Sequence, residues 1–473
     1  MHITHHGAFE GVTGSCHELR WGKHGVLVDC GLFQGSESNN SLNIEFPVEH
    51  IQALLLTHCH IDHVGRIPWL LAAGFRGPIY ATEATAALLP LMLDDGLKIQ
   101  LNLNTSQRNQ FLSLVNRLLK PVPFDCLAPI PLPSGERINA YFRQAGHILG
   151  SAYIELELPD GHIVVFSGDL GPSETPLLVD PISPRKVDTL IIESTYGDRQ
   201  HDRVRDRGSR LARVITRSLR DGGAILIPAF SVGRTQELLF DIETLMADAA
   251  IMPVCEGATS DKIQWQRLPV ILDSPLATQI TEQYDLFQRL WTKEAKQKVQ
   301  LGRHPLSFSQ CITVESHQEH IALVNRIKST GEPAIVIAAS GMCSGGRIMN
   351  YLEALLPDSR TDVVFVGYQA KGTLGQNLLT GANKVEINGQ RVAVKARRHE
   401  LSGYSAHADQ ADLVQFVANI EQGPSKIHIV HGEHRAQAVL ADALRKVKPQ
   451  SSIMLAAEHR MTLDEGHDCL DPH

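Results

Sequence analysis

Short apolar runs alternate with Gly-rich turns through the first two hundred residues: GVLVDCG (25–31), ALLLTH (53–58), PIYAT (78–82), HIVVFSGD (162–169) and TLIIEST (189–195). Runs of that length, bounded by turn residues, predict buried strands. Three of them end in an acid or a histidine followed at once by small residues, as strand-end loops do when they hold ligands on a rigid sheet. Between 83 and 120 glycine is absent apart from Gly96. There Leu88, Leu89, Met92 and Leu93, then Leu112, Val115, Leu118 and Leu119, recur at helical spacing and predict helix.

The texture changes near residue 205. Buried-strand runs now alternate with amphipathic segments: AILIPAF with GRTQELLFDIETLM, PVILDSP with LATQITEQYDLF, AIVIAASG with GRIMNYLEALL, then DVVFVGYQ. This βαβ rhythm predicts a mostly parallel sheet covered by helices. After about 393 the earlier style returns, in ELSGYSAHADQADLVQFVANI and KIHIVHGEHRAQAVLADAL. The chain therefore reads as one α/β domain inserted into another, with segments 1–200 and 393–473 flanking an insert at 201–392. The polar stretch CEGATSDKIQWQ (255–266) is expected as an exposed loop.

At 473 residues the chain is too long for one ordinary core. With 43% hydrophobic and 20% charged residues it has the composition of a soluble globular protein. MHITHHGAFEG has neither the basic nor the apolar region of a secretory signal, and no apolar run is long enough to span a membrane. The eight cysteines are scattered, which points to a reducing cytoplasm rather than a disulfide scaffold. A net charge of −8 opposes nonspecific attraction of the whole molecule to nucleic acid. Two basic runs stand out against it: residues 199–220, with eight arginines against two aspartates, and VKARRH at 394–399. The ordinary reading of such runs is a solvated face.

The strongest chemical signal lies in QALLLTHCHIDHVGRIPWL (52–70), where His58, His60, Asp62 and His63 crowd the end of an apolar run. Histidine and carboxylate ligands suit zinc, iron or manganese. His58 and His60 can converge on one ion, and Asp62 and His63 on a second. The other strand ends add His147 in QAGHILGSA, Asp169 in FSGDLGP and His431 in HIVHGEH. Together these complete two coordination sets and one carboxylate able to bridge. Asp29, in LVDCG, is read as the carboxylate that fixes the tautomer of a ligating imidazole. Cys59 stands between two ligands and is expected to point away from the metals.

The order DCG, THCHIDH, AGHILGS, SGDLG resembles the metallo-β-lactamase fold of hydrolases. IIESTYGDR, IPAFSVGRTQELL, ILDSPLA, ASGMCSGGR, SGYSAHAD and VHGEH resemble its β-CASP subfamily, whose members are mostly nucleases. The resemblance implies an α/β protein: an αββα metallo-β-lactamase sandwich with an inserted parallel-sheet α/β (β-CASP) domain. It implies a first zinc site of His58, His60 and His147, a second of Asp62, His63 and His431, and Asp169 bridging them. Glu193, His407 and His431 match the subfamily's three acid and histidine motifs, and histidine at the last position leans toward RNA. Catalytic candidates are therefore Asp62, Glu193 and His407.

Two metals about 4 Å apart would lower the pKa of a shared water toward neutrality and clamp the phosphate oxygens. His407, held by Glu193, is the candidate acid for the leaving oxygen, which predicts 5′-phosphate and 3′-hydroxyl ends. In the insert, Arg234, Ser340, Ser344 and Arg347 sit in βα turns at helix starts, where backbone N–H groups favour anions, and are candidates to grip substrate phosphate. The expectation is a zinc-dependent ribonuclease with two zinc ions per chain, endonucleolytic and with 5′ exonuclease activity open to it. It acts on RNA and not at a membrane, with a homodimer among its assemblies. The lack of a KH-type module or long C-terminal extension suggests a compact stand-alone nuclease. A DNA-processing nuclease, a catalytically silent RNA-binding subunit and a small-molecule hydrolase are the alternatives.

Overall fold

Two sheets pack face to face in the first unit, Met1–Ser173, Asp180–Gln200 and His407 onward. The computed structural model describes residues 1–37, 42–251 and 265–455. One sheet runs in the order β1 (His2–Gly7), β2 (Cys16–Trp21), β3 (His24–Val28), β4 (Ile51–Leu55), β5 (Ile79–Thr82) and β6 (Leu119–Val122). It is antiparallel up to β3 and parallel from there on. The other begins with the antiparallel strands β7 (Leu127–Pro131), β8 (Arg137–Gln144), β9 (Ala152–Glu157) and β10 (Ile163–Phe166). It continues in parallel through β11 (Thr189–Ile192), β20 (Lys426–Ile429) and β21 (Ser452–Leu455).

Alternation decides which side chains meet between the sheets. In β8, Ile138, Ala140 and Phe142 are buried while the residues between them are not, and they join Leu19, Val26, Leu55, Ile154 and Phe166 in one core. Burying an aromatic of this size stabilises by roughly 1.5–3 kcal/mol. The outer face of the first sheet carries the helix Glu83–Leu101 through Leu89 and Leu93. The second carries Gln410–Ala418 and His434–Val447 through Leu413, Val417, Leu440 and Leu444. The result is a four-layer αββα sandwich. Helix was expected to run through Leu119; it ends at Leu118, and Leu119 opens β6, because pairing with β5 captures the residue that helical spacing alone would claim.

The second unit, Glu174–Val179 and His201–Ala406, is built on β12 (Ala224–Pro228), β13 (Val270–Asp273), β14 (Cys311–Thr313), β15 (Ala334–Ala338), β16 (Asp362–Phe365) and β19 (Arg397–Glu400). All pair in parallel, in the order β14-β13-β15-β12-β16-β19. β12 and β15 are buried along their whole length, as helices on both faces of a parallel sheet require. Strands β17 (Lys384–Ile387) and β18 (Gln390–Ala393) form a separate hairpin. This unit extends past residue 392, where the insert was expected to end, because Arg397–Glu400 pairs with β16 rather than with either sheet of the sandwich. The stretch 255–266 lies outside the described residues except for its last two.

Candidate metal centre

The loops that leave the C-terminal ends of β3, β4, β10, β11 and β20 carry Asp29, the 58–63 cluster, Asp169, Glu193 and His431. Close backbone approach locks them in place. Ser15 N–H donates to the Asp62 carbonyl and Cys30 N–H to that of His63, both at 2.8 Å. A Cβ on Gly31 would lie 1.5 Å from the Asp62 carbonyl oxygen, so only glycine permits that contact. Asp29 and His431 hold φ values of 62° and 51°, the left-handed region that non-glycine residues adopt at some cost and that clusters at functional sites.

Donor atoms converge in three groups, each within 4.8 Å: His58, His60, His147 and Asp169; Asp62, His63, Asp169 and His431; and Asp169, Glu193 and His407. Asp169 belongs to all three. In the first group His60 Nδ1 lies 3.1 Å from His58 Nε2 and 3.0 Å from His147 Nε2, and Asp169 Oδ2 lies 3.5 Å from both latter nitrogens. In the second, Asp169 Oδ1 is 3.3 Å from His63 Nε2 and 3.6 Å from His431 Nδ1, and Asp62 Oδ2 is 3.6 Å from His431 Nε2. Nitrogen and oxygen ligands about 2.0–2.1 Å from a tetrahedral zinc lie roughly 3.3 Å from one another, so the donor spacing fits such an ion.

The polar atoms make the same point. Both oxygens of Asp169, His63 Nε2 and His431 Nε2 are buried without a hydrogen bond, a costly arrangement unless a cation occupies the centre. Burial pushes His58 well below its ordinary pKa and His60 down to about 4, leaving neutral rings with lone pairs to offer. Burial opposes ionisation of Asp169, yet His431 and His63 hold its carboxyl well below the usual range. His431, pulled down by burial, is carried up to about 9 by Asp169 and Asp62. The cluster draws positive charge toward the shared carboxylate.

Surrounding groups orient the rings. Asp29 Oδ2 accepts from His63 Nδ1 at 2.7 Å and from the Thr57 hydroxyl at 2.7 Å, and its Oδ1 accepts the Thr57 N–H at 2.8 Å. Nδ1 thus carries the His63 proton, and Nε2 faces the centre. Glu193, fully buried, accepts from the Leu170 N–H and the Thr195 hydroxyl, each at 2.6 Å, and lies 3.2 Å from His407 Nδ1. Burial lowers the His407 pKa but Glu193 and Asp169 raise it overall. Thr195 also reaches His431 Nδ1 at 3.0 Å. Thr57 and Thr195 had no assigned role from sequence; their signal is a hydroxyl within three residues of a strand end and within two of a candidate site residue. Cys59 is buried, belongs to none of the three donor groups, and burial pushes its thiol up to about 12.

The phosphate candidates are placed differently, all in the second unit. Arg234 opens the helix Arg234–Ile251 and is buried. Ser340 Oγ accepts the Ser344 N–H at 3.0 Å, which closes the Gly-rich turn on itself. Arg347 is already committed: it pairs with Asp273 at 2.6 Å and donates to the carbonyls of Val314 and Glu315. A buried carboxylate thus pairs with the Arg347 guanidinium, which also ties the turn to the Val314–Glu315 backbone.

Three family profiles match the chain: the metallo-beta-lactamase superfamily over residues 11–221, the Beta-Casp domain over 235–378 and the Zn-dependent metallo-hydrolase RNA specificity domain over 391–454. Ribonuclease TTHA0252 of Thermus thermophilus is 36% identical over 448 residues, covering 94% of this chain and 96% of the relative. Transcription termination factor FttA of Methanosarcina mazei is 30% identical, covering 94% of this chain and 69% of its own length. Among the described residues no helix is long and apolar enough to cross a membrane. The fold, the converging histidines and aspartates and these matches place the chain in the β-CASP branch of the metallo-β-lactamase superfamily, as a metal-dependent hydrolase of the nuclease kind.

Proposed function

We propose that the chain is a zinc-dependent ribonuclease that holds two zinc ions and hydrolyses internal phosphodiester bonds of RNA. The observation that carries this reading is the position of Asp169, one buried carboxylate shared by two groups of three further ligands each. The ribonuclease name of the Thermus relative and the RNA specificity profile over 391–454 support RNA as substrate. His58, His60 and His147 would hold one ion and Asp62, His63 and His431 the other, with Asp169 between them. Bound there, zinc would supply Lewis acidity toward phosphate oxygens and a water acidic enough to ionise near neutrality.

The chain's own residues account for the other half of the reaction. Glu193, fixed by Leu170 and Thr195, anchors His407 through Nδ1. The opposite nitrogen of that ring would then deliver its proton to the departing 3′ oxygen. Water adds to phosphorus, the P–O3′ bond breaks, and the products are a 5′-phosphate and a 3′-hydroxyl. Internally labelled RNA and matched single-stranded DNA, each incubated with and without chelator, test this reading. RNA fragments bearing 5′-phosphates, abolished by chelator, are expected. DNA cut while RNA is spared would make it a DNA-processing nuclease, and RNA bound but never cut would make it a silent binding subunit.

A further inference from the structure

Two basic runs far apart in sequence meet in the second unit. The helix Val204–Asp221 carries six arginines against two aspartates and buries Leu211, Val214, Ile215 and Ser218. Arg210, Arg213 and Arg217, three and four residues apart, therefore share one edge of that helix. β19, the edge strand of the parallel sheet, brings Arg398 and His399 alongside. Together they line a cleft of about 380 Å³ whose single acidic side chain is Glu400.

Not every arginine of this helix is available. Arg207 is buried, paired with Glu237 and Asp241, and lies over the Tyr404 ring; it is part of the packing. The cleft arginines differ. Arg210 pairs with Asp202, and Arg217 with Asp362, but that one carboxylate also takes Arg397 and His399. Among the described residues Arg398 donates to the backbone carbonyls of Leu378 and Ala382 and forms no ion pair, which leaves its charge intact. Arg213 is exposed and forms no ion pair among the described residues. Arg217 Nε is buried without a hydrogen bond. Positive charge is thus concentrated in a concavity, which focuses the field, on a chain whose net charge is −8. Guanidinium groups match phosphate better than any other side chain does.

We propose that this cleft binds the phosphodiester backbone of single-stranded RNA, as a phosphate site separate from the histidine–aspartate centre. The identity of the ligand rests on the ribonuclease reading. Contacts of this kind position a strand without reading its bases, so the site should serve many sequences equally.

The test uses the full zinc-loaded chain and labelled single-stranded RNA, with His407→Ala as a common background so that the RNA survives. Arg213→Glu should weaken binding about tenfold at ~100 mM salt, and Arg213→Gln should flatten the salt dependence by about 0.7 in the log–log slope. Glu400→Gln should act in the opposite sense and tighten binding about two- to threefold, since it removes the acidic side chain that lines the cleft. With His407 restored, hydrolysis of bis(p-nitrophenyl) phosphate should be the same in all three variants. RNA binding unchanged in both Arg213 variants would overturn the proposal. Equal loss of affinity for polyglutamate of matched charge would also overturn it and assign the cleft to an acidic protein. Failure of the ribonuclease reading would look different: the parent chain would leave RNA uncut, whatever the variants bind.

Discussion

Asp169 and Asp273 invite comparison. Both are buried, Asp169 three residues past β10 and Asp273 at the last position of β13, and each has histidine beside it. Asp273 is saturated from within the protein: Arg347 donates to Oδ1, and His320 and the Tyr351 hydroxyl to Oδ2, all at 2.6 Å. Asp169 faces ring nitrogens of His58, His63, His147, His407 and His431 at 3.3–3.8 Å, and neither of its oxygens has a hydrogen bond. A buried carboxylate with short protein bonds holds a fold together. One ringed by rings that stand back from it has left room for something else. The same residue types at strand ends do opposite jobs, and satisfaction of the oxygens tells them apart.

The largest effect that sharpens this contrast comes from His407→Ala. Cleavage of RNA should fall by about 10²–10⁴ while zinc content is kept, because His407 approaches Asp169 without being needed to complete either group of four ligands. Zinc lost along with activity would instead make His407 a ligand.

Asp273→Asn should leave zinc content alone and cost stability, about 3–5 kcal/mol for breaking a buried, fully paired network. The pH dependence follows from the sign of the shift. Burial raises the Asp273 pKa, but His320, Tyr351 and Arg347 outweigh it and hold the carboxyl below its ordinary value. Its contribution is therefore complete above about pH 4, the ordinary carboxylate range, and fades as pH falls through the depressed value. Melting curves should show the gap between parent and variant narrowing on acidification below that point; a constant gap would mean that the ionised carboxylate is not what stabilises.

The smallest effect is expected at Asp29→Asn, which removes the acceptor that orients His63 Nδ1. Zinc affinity, measured by competition with a chelator, should drop by about 10–100-fold. An unchanged affinity would remove Asp29 from the coordination account.

How much of this was legible before any coordinates depended on how local the determinant is. The strand before His58 and the ligand spacing after it lie within twelve residues, so pattern and chemistry could be read together. The parallel sheet of the second unit followed likewise, since the unbroken apolar runs of β12 and β15 state that both faces are covered, whereas the αββα layering of the first unit came from the resemblance. What could not be read was partnership across distance. Arg347 looks like an unpaired cation at a helix start until Asp273, 74 positions away, is seen to pair with it. Arg397–Glu400 looks like a return to the first texture until it pairs with β16. The 199–220 run looks like a solvated face because the strand that turns it into one wall of a cleft lies some 180 residues further on.

One measurement tests the shared carboxylate most directly: zinc per folded chain in the parent and in Asp169→Asn, by elemental analysis with circular dichroism to verify the fold. About two ions in the parent, and both weakened or lost together in the variant, are the predicted result. A parent with no zinc after reconstitution, or a variant that keeps one ion at full affinity, would contradict a centre built around Asp169.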